Sequence, residues 1–330
     1  MQKDPEFKVS VAPMMDWTDR YCRVFHRRLS SRVLLYTEMV VADAVIHGDL
    51  EHLIGFDAAE HPVALQIGGS DPAKLAKASK IGADRGYDEI NINIGCPSDR
   101  VQSGSFGACL MTDAPLVADC FKAMQNAVDV PVTVKCRLGV DDQDVEKTLP
   151  DFIETVSRAG CTHFIIHARK AWLQGLSPKE NRDVPPLDYA LVRRIKQRYP
   201  NLEVILNGGL TDLQQSLEET ETLDGFMLGR AAYHNPWLLS EIDSAVYGAP
   251  KRDDSREAVV SDMADIAQDM EARGLRTRAM TRHMNGLFAG TPGARLWRRS
   301  LSELSAGGER PASEVLRRAL GILEAKRRAA

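Results

Sequence analysis

A short segment near residue 90 carries two amides and a thiol, side chains that can bind a polar ring and move a proton. Within residues 89–97, isoleucines alternate with Asn91 and Asn93, and this period of two is typical of a β-strand. Cys96 follows, and Pro97 stops the strand because proline has no backbone N–H. Two interpretations stay open here. The loop presents Asn93 and Cys96 to a ligand, or the strand merely turns and Cys96 is a small buried hydrophobe.

Two glycine-containing segments, Asn207-Gly208-Gly209 and Gly229-Arg230, each follow a short apolar run. Glycines leave backbone N–H groups accessible, and the arginine adds a fixed positive charge, a composition that suits a phosphate group. The alternative is a pair of turns that need glycine for a positive φ angle. That alternative explains one segment more easily than both, so the sequence predicts a phosphate site.

Strand ends elsewhere carry side chains suited to a flat, anionic cofactor. Lys135 ends an apolar run, where an ammonium group is costly to bury unless it meets an anion. Reduced flavin is such an anion, and Gln66 and His167 can hydrogen-bond to the same heterocycle. The residues predicted to contact the ring are Pro13, Met14, Met15, Gln66, Lys135 and His167. Together with the phosphate site they describe FMN, although a methionine pair is more often plain core.

The spacing of cysteine and histidine does not favour a metal site. The six cysteines form no Cys-x-x-Cys pair, which is typical of separate thiols in a reducing compartment. His163 and His167 have the spacing of a helical metal pair, but the residues around them predict a strand. Four residues of a strand span roughly 13 Å, too far for two ligands of one ion. We therefore expect no metal.

Eight short apolar segments, each followed by a helix-like stretch, must position these side chains. They lie at residues 9–12, 33–36, 63–67, 89–93, 132–135, 164–167, 204–207 and 225–228. An open doubly wound sheet is the alternative, but no Gly-x-Gly-x-x-Gly follows the first strand. Only a closed barrel brings the ends of all the strands together on one face. The predicted fold class is α/β, a (β/α)8 TIM barrel with a C-terminal helical bundle domain.

Residues 255–330 show no strand signal and have a helical periodicity. Breaks at Gly274, at 291–293 and at Gly307-Gly308 separate four predicted helices. The helices are predicted at 255–273, 276–288, 294–304 and 313–328. Because glycine, proline and charges cluster near residue 250, we expect a barrel domain over 1–250 and a helical domain over 251–330.

Charge is distributed unevenly along the 330 residues. Residues 272–330 hold 13 Lys and Arg against 4 Asp and Glu, a net charge of +9, whereas residues 1–271 carry −13. A basic C-terminal region favours a polyanionic partner, and a solvated basic helix surface is the alternative. The N-terminal residues lack a signal-peptide pattern and no apolar run is long enough to span a bilayer, so we expect a cytoplasmic protein.

Taken in order along the chain, these segments resemble the tRNA-dihydrouridine synthases. The matching segments are APMMDWTDR at 12–20, LQIGG at 65–69, NIGCP at 93–97, VKCR at 134–137, HARK at 167–170, NGG at 207–209 and GR at 229–230. Two further segments, GLSPKENR at 175–182 and PGARLWRR at 292–299, resemble the A-type bacterial enzymes. The resemblance covers nearly the whole chain.

This resemblance implies reduction of the C5–C6 double bond of a uridine in the tRNA D-loop, at position 20 or 20a. NADPH, with NADH as the alternative, would reduce FMN, which would deliver a hydride to C6. Cys96 would then be the acid that protonates C5, and Asn93 would bind the uracil edge. A positioned acid contributes about 10²–10⁴-fold to such a reaction. A stacked uridine must leave its loop to reach the flavin, as in other base-flipping enzymes.

Contacts to RNA are expected mostly between cationic side chains and phosphates. Arg295, Arg298 and Arg299 lie at helical spacings that place them on one face. The full set of predicted RNA-binding residues is Asn93, Arg169, Lys170, Lys179, Arg182, Arg295, Arg298 and Arg299. We expect tRNA as the partner, no membrane, and a monomer.

Two other functions fit parts of the pattern. One is an FMN barrel that reduces a free pyrimidine, as in a relative of dihydroorotate dehydrogenase. A basic helical domain has no role there, since a small substrate does not need it. The other is an RNA-binding protein that has kept the barrel without catalysis, and the intact set of polar strand-end residues disfavours it.

Overall fold

A computed structural model of the chain describes residues 7–98, 101–102, 104–306 and 310–328. They fall into two compact units, which we call the barrel unit (7–15 and 34–229) and the helical unit (16–33 and 230–328). The predicted domain boundary between residues 250 and 251 stays a prediction. The predicted helix break at Gly307-Gly308 lies outside the described residues.

Nine parallel strands form the sheet of the barrel unit. They are β1 Lys8–Val11, β2 Leu34–Tyr36, β3 Val40–Val41, β4 Val63–Gly68, β5 Glu89–Ile94, β6 Val132–Arg137, β7 His163–His167, β8 Glu203–Asn207 and β9 Gly225–Leu228. The sheet closes because β1 pairs with both β2 and β9, and β2 pairs with β4. The two-residue β3 is an addition beside β4. All eight predicted strands are present, and the predicted (β/α)8 barrel is confirmed.

Along each strand, successive side chains point alternately into the barrel interior and toward the surrounding helices. The apolar part of the interior is formed by side chains contributed by several different strands. These are Ala12, Tyr36, Ala64, Ile165, Ile205 and Met227, with Met14 and Leu34 packed against them. This apolar layer fills one part of the barrel interior.

Helices follow most of the strands and continue into the helical unit. The α-helices of the described residues are α1 Arg20–Leu29, α2 Ala42–His47, α3 Leu50–Ile54, α4 Pro72–Asp84, α5 Ala114–Ala127, α6 Val145–Arg158, α7 Tyr189–Arg198, α8 Leu213–Glu219, α9 Arg230–His234, α10 Leu239–Tyr247, α11 Arg256–Ala272, α12 Met280–His283, α13 Ala294–Ser305 and α14 Ala312–Arg328. Short 3-10 helices lie at Ala58–Glu60, Gly107–Thr112, Glu180–Arg182, Pro236–Leu238, Thr277–Ala279 and Met284–Gly286.

The five helices α4 to α8 of the barrel unit all begin after an aspartate. Asp71, Asp113, Asp144, Asp188 and Asp212 each accept a hydrogen bond from a backbone N–H in the first helical turn. These N–H groups have no partner within the helix, so each aspartate stabilises its helix by about 1 kcal/mol. The local sequence therefore fixes where each helix starts and how long the preceding loop is.

In the helical unit, three of the four predicted helices are present as α11, α13 and α14. The continuous helix predicted over 276–288 is wrong, because α12 is flanked there by two 3-10 turns. Close packing explains the break near its C-terminal end. A Cβ on Gly286 would lie 2.4 Å from the carbonyl oxygen of His234, so the backbone of this segment packs directly on another backbone.

Polar contacts hold residues 16–33 within the helical unit. The Arg28 guanidinium lies 2.7 Å from the Asp254 carboxylate, and the Ser31 N–H donates to Asp243 at 2.7 Å. Asp19, the N-cap of α1, also lies 3.0 Å from Nε2 of the buried His283. Among the residues that the structure describes, no helix is long and apolar enough to cross a membrane.

Candidate active site

A chain of hydrogen-bonded amides lies inside the barrel on β4 and β5. Asn93 Nδ2 donates to Gln66 Oε1 at 2.8 Å, and Gln66 Nε2 donates to Asn91 Oδ1 at 2.8 Å. Asn91 Nδ2 continues the chain to Thr133 Oγ1 on β6 at 2.7 Å. All four side chains are buried, so each amide needs these partners to avoid the cost of an unsatisfied polar group. The chain fixes the orientation of Gln66 and Asn93 at the mouth of the barrel.

The same chain ends deeper in the barrel at a buried carboxyl group. Thr133 Oγ1 donates to Glu89 Oε1 at 2.6 Å, and the Tyr36 hydroxyl donates to the same oxygen. Burial raises the pKa of Glu89 to about 7, against the two hydrogen bonds, which lower it. The pKa of Tyr36 is raised well above 10 by its own burial and by the neighbouring carboxylate. The barrel interior therefore contains one carboxyl group that titrates near neutral pH.

Cys96 lies just beyond β5, and its backbone is held by Asn93. Asn93 Oδ1 accepts from the N–H groups of Gly95 at 3.1 Å and of Cys96 at 2.9 Å. The Cys96 side chain is half-buried, and its Sγ lies 3.5 Å from Ser98 Oγ. The structure thus excludes the interpretation of Cys96 as a fully buried filler of the core. Its thiol lies at the carboxyl-terminal end of the barrel, where active sites of this fold form.

Lys135 provides a partly buried cation on the strand next to Asn93. The two residues are in register on β5 and β6, and Lys135 Nζ donates to Asn207 Oδ1 at 3.0 Å. Burial, together with the nearby Arg137 guanidinium, lowers the pKa of Lys135 to about 8. Lys135 forms no ion pair with any carboxylate of the described residues. A partly buried ammonium group of this kind is stabilised by a bound anion.

His167, at the end of β7, has an unused polar atom. Its Nδ1 is buried and has no hydrogen-bond partner among the described residues. Burial and the neighbouring cations, first among them Arg137, lower the pKa of His167 well below its usual value, so the ring is neutral. The ring packs against Gly208, where an added Cβ would lie 3.3 Å from Nε2. A neutral imidazole with an unpaired nitrogen is suited to hydrogen-bond a ligand.

The predicted phosphate loops differ in why they contain glycine. Gly208 and Gly209 both have positive φ angles, 106° and 70°, and a Cβ on Gly209 would meet Leu187 at 2.4 Å. The chain itself therefore requires these two glycines. Gly229 has neither constraint, since an added Cβ would have nothing within 4 Å. Open space beside Gly229 suits a ligand group that approaches the backbone closely, and the residues present fit FMN in this respect.

Exposure to solvent increases along the segment after β1, from Pro13 to Met15. Pro13 and Met14 are half-buried, and Met14 packs on the apolar layer of the barrel. Met15 is exposed, with 57% of its surface accessible to solvent. Arg230, the last predicted cofactor residue, directly follows Gly229 in the chain and begins α9. The contacts of all these residues with a cofactor stay a prediction.

The predicted RNA-binding residues fall into two groups. Arg169 and Lys170 are half-buried, and their cationic groups donate to backbone carbonyls of Pro185 and Gln143, respectively. The remaining cationic residues of the set are exposed. They are Lys179, Arg182, Arg295, Arg298 and Arg299. The exposed group is therefore the better placed to reach phosphates, while Arg169 and Lys170 also shape the loop after β7.

Three residues organise the loops around Cys96 without being among the predicted site residues: Arg137, Gln102 and Asn181. Arg137 is 4% exposed, and Asn181 is fully buried. A signal for Arg137 exists in the sequence, because it follows Thr133 and Lys135 at a period of two on β6. Asn181 lies in an irregular loop, and no periodic pattern identifies it.

A closed parallel barrel with a thiol, amides and buried cations at the carboxyl-terminal ends of its strands defines a (β/α)8-barrel enzyme. A search of solved structures agrees on the fold: an old yellow enzyme homologue from Zymomonas mobilis aligns with a TM-score of 0.53 and 13% identity. The alignment covers 76% of this chain and 92% of that chain. At this identity the likeness concerns the fold alone.

Sequence comparison defines the family. The model of the dihydrouridine synthase family matches residues 10–322. A tRNA-dihydrouridine(20/20a) synthase of Salmonella typhi is 53% identical over 98% of this chain and 97% of its own length. An enzyme of the same name from Xanthomonas campestris pv. campestris is 56% identical over 92% of this chain and 89% of its own. The chain belongs to the dihydrouridine synthase family, as the resemblance in its motifs predicted.

Proposed function

We propose that this protein is a flavin-dependent tRNA-dihydrouridine synthase that reduces the C5–C6 bond of uridines 20 and 20a in the tRNA D-loop. One observation carries the proposal: Cys96 lies half-buried at the barrel mouth, with its backbone pinned by Asn93. Relatives that are 53% and 56% identical bear the name tRNA-dihydrouridine(20/20a) synthase, which supports the choice of substrate.

We propose FMN as the flavin and NADPH as the reductant. When bound, FMN supplies a hydride to C6 of the uracil ring. Lys135 would stabilise the negative charge of the reduced ring, since it is a partly buried cation without a carboxylate partner in the described part of the chain. Nδ1 of His167 offers a hydrogen-bonding position to the same ring, and the open space beside Gly229 admits the phosphate.

Cys96 is the proposed acid. Hydride addition at C6 leaves an electron pair at C5, and the Sγ–H bond of Cys96 breaks to place a proton there. The product gains one hydride and one proton, and the thiolate recovers its proton from water. An acid that is held in place contributes about 10²–10⁴-fold to such a step. Asn93 has one amide N–H left after its contact with Gln66, and this hydrogen can bind the uracil edge.

For the RNA, we propose contacts from Lys179 and Arg182 after β7 and from Arg295, Arg298 and Arg299 on α13. All five are exposed. Cationic side chains of this kind bind phosphates and position a nucleic acid without reading its sequence. Because the substrate is tRNA, we place the protein in the cytoplasm, and we expect it to act as a monomer.

Replacing Cys96 tests this proposal. We expect Cys96→Ala to purify with a flavin spectrum and to be reduced by NADPH at the wild-type rate, because the thiol is not needed for either. Dihydrouridine formation in an unmodified tRNA transcript, measured by mass spectrometry of nucleosides, should fall by about 10²–10⁴-fold.

Cys109→Ala is the matched control. Cys109 is also a half-buried thiol in the segment that follows β5, and its Sγ contacts the Phe106 carbonyl at 3.1 Å. This variant should retain full activity. Full activity of Cys96→Ala would remove the thiol from the mechanism, and a correctly folded protein that cannot be loaded with FMN would refute the cofactor.

A further inference from the structure

The segment that carries Cys96, residues 95–97, lies outside any strand or helix. Its N–H groups are satisfied by Asn93, as described above, and its carbonyls need other partners. Cys96 O accepts from Ala108 N at 2.9 Å. The carbonyls on either side, those of Gly95 and Pro97, accept from side chains that come from elsewhere in the barrel unit. The position of the thiol therefore depends on these two side chains.

Arg137 is the first of them. Its Nε donates to Gly95 O at 2.8 Å, and its Nη1 donates to Lys170 O at 3.0 Å and to Asn181 O at 2.9 Å. One guanidinium thus joins the Cys96 segment to the loop after β7. Arg137 forms no salt bridge with a carboxylate of the described residues. A planar group with five N–H donors can serve three carbonyls at once, which an ammonium group cannot do with the same geometry.

Burial is costly for this guanidinium. Burial, together with the neighbouring Arg182 and Arg169 guanidinium groups, lowers the pKa of Arg137 to about 10. Burying a cation among other cations destabilises the fold, so we expect this guanidinium to have a structural or functional role. The three carbonyl contacts identify that role as holding two loops together.

Gln102 forms a second, independent connection between the same two loops. Its Nε2 donates to Pro97 O at 2.8 Å and to Leu173 O at 2.8 Å, so both hydrogens of one amide are used. Gln102 is half-buried and comes from the segment after β5, whereas Arg137 comes from β6. Two side chains on different elements therefore make the same link.

The loop on the other side of this link is itself ordered by Asn181. The Asn181 amide accepts from Trp172 N at 2.7 Å and donates to Trp172 O at 2.9 Å and to Leu176 O at 3.1 Å. The loop is thus a folded piece whose carbonyls are presented to Arg137 and Gln102. Lys179 and Arg182, exposed on this loop, are two of the proposed phosphate contacts.

We propose that Arg137 and Gln102 are positioning residues for Cys96, which lock the Cys96 segment to the loop after β7. In a dihydrouridine synthase of the kind proposed above, on which this inference rests, the thiol is then placed for proton transfer only while that loop is seated. RNA that binds Lys179 and Arg182 also stabilises the seated loop. The acid is thereby coupled to the presence of the correct substrate.

Two variants test the proposal. Arg137→Lys keeps the positive charge but cannot reach three carbonyls, and Gln102→Glu keeps the shape but places carboxylate oxygens against two carbonyls. We expect single-turnover formation of dihydrouridine from the pre-reduced enzyme to fall by about 10- to 100-fold, the effect of a misplacement near 1 Å. Reduction of the flavin by NADPH and the flavin spectrum should stay as in the wild type, because neither involves the thiol.

A second measurement reports on the segment without any catalysis. Iodoacetamide alkylates exposed thiols, and peptide mass spectrometry follows Cys96 and Cys109 separately. We expect Cys96 to react several times faster in both variants and Cys109 to react at its wild-type rate. Arg158→Lys and Gln197→Glu, matched substitutions at exposed positions of the barrel unit, should change neither the alkylation rate nor the turnover.

The outcomes separate this proposal from the proposed function. Unchanged alkylation of Cys96 in both variants overturns the positioning role, as does an equal loss of flavin reduction and dihydrouridine formation. If the wild-type protein forms no dihydrouridine, the proposed function fails, and the alkylation rates still decide whether the two residues hold the segment. If Arg137→Lys does not fold, the half-buried Gln102→Glu decides the question alone.

Discussion

Asn93 combines a structural role with a predicted contact to the substrate. Gln66 is predicted to contact the cofactor and Asn93 the uracil, and a hydrogen bond of 2.8 Å joins the two side chains. Asn93 also accepts from two N–H groups, so its carbonyl oxygen is fully used. Only one N–H of its amide is left for a ligand. A substitution at Asn93 would therefore affect the Cys96 loop as well as any contact with the substrate.

Glu89 belongs to the same chain of hydrogen bonds but lies away from the barrel mouth. Its pKa, raised by burial to about 7, means that the folded protein binds this proton more tightly than the unfolded chain, where the value is near 4.5. The resulting stabilisation is present below pH 4.5 and is lost as the pH rises through about 7. The charged groups that act on Glu89 are Lys8 and Glu203, at the opposite end of the barrel from Cys96.

We predict that Glu89→Gln removes this pH dependence. Glutamine can still accept from Thr133 and Tyr36, and it has no proton to lose. The free energy of unfolding of the wild type, relative to the variant, should fall by roughly 2 kcal/mol between pH 5 and pH 8. Urea unfolding of both proteins at several pH values measures the difference.

Buried histidines change the free energy of unfolding with pH in the opposite direction, and they do so in both proteins. Burial lowers the pKa of His26 and of His163 to about 3, so these residues destabilise the fold when the pH drops. Their effect cancels in the difference between wild type and variant. The exposed Glu221→Gln serves as the control and should give a flat difference. A flat difference for Glu89→Gln as well would mean that Glu89 stays charged in the folded state.

At the scale of elements, the strands were predictable because their period of two and their length leave little choice. Residues 89–94 alternate isoleucine with polar side chains, and the structure contains β5 over that range. Helix starts were equally clear where aspartate precedes the first turn. The segment 276–288 was not predictable in this way, since its helical periodicity is real but Gly286 packs on a distant backbone. Tertiary contacts determine the secondary structure of this segment, and a local sequence pattern does not contain them.

Two of the arginines on helix α13 have no ion-pair partner among the described residues. Arg295 and Arg298 are exposed and form no ion pair with a described residue, whereas Arg299 lies 3.6 Å from Glu303. On the opposite side of the helix, Trp297 is fully buried, and its Nε1 donates to Met284 O at 2.9 Å. The buried tryptophan fixes the rotation of α13, and the arginines face solvent as a consequence.

We predict that Arg295→Ala with Arg298→Ala weakens binding of tRNA by roughly tenfold and lowers the slope of log affinity against log salt by about 1 to 2. Each phosphate contact that is lost leaves fewer counterions to be released from the RNA on binding. The fold should be unaffected, because both side chains are exposed to solvent. Filter binding or fluorescence anisotropy over a range of salt concentrations measures both effects.

The control for this pair removes the same charge from a neighbouring helix. Arg317 and Arg318 on α14 are paired with Asp265 at 2.7 Å and with Glu314 at 2.8 Å. Their double alanine variant should keep the salt slope of the wild type. NADPH oxidation should be unchanged in both double variants. An unaltered slope in the α13 variant would refute its assignment to RNA.

For the whole molecule, the barrel explains why the site could be predicted in part. Once the sheet closes, the ends of all strands meet on one face, so Cys96, Lys135 and His167 had to lie near one another. The pairing of their side chains could not be predicted. Contacts such as Arg137 with three carbonyls join residues up to 44 positions apart, and several of the atoms involved belong to irregular loops. Only the folded backbone determines which carbonyl each donor reaches.

The distribution of charge separates the two leading functions at this scale. The C-terminal residues 272–330 carry a net charge of +9, and the rest of the chain carries −13. A polyanion of the size of tRNA can use the basic region, whereas a free pyrimidine cannot. Binding energy from remote parts of a large substrate helps to place its reacting part, so a truncated substrate loses rate as well as affinity.

We therefore predict that only tRNA reoxidises the reduced protein at a useful rate. The protein is reduced with one equivalent of NADPH without oxygen, mixed with an unmodified tRNA transcript, uridine or orotate, and followed by flavin absorbance. The free pyrimidines should react at least about 10³-fold more slowly at equal concentration, because they forgo the contacts that position the base. A transcript with cytidine at positions 20 and 20a is the control for the reacting uridine and should also be slow. Equal rates with uridine and with tRNA would instead identify a reductase of free pyrimidines that has no need of its basic helices.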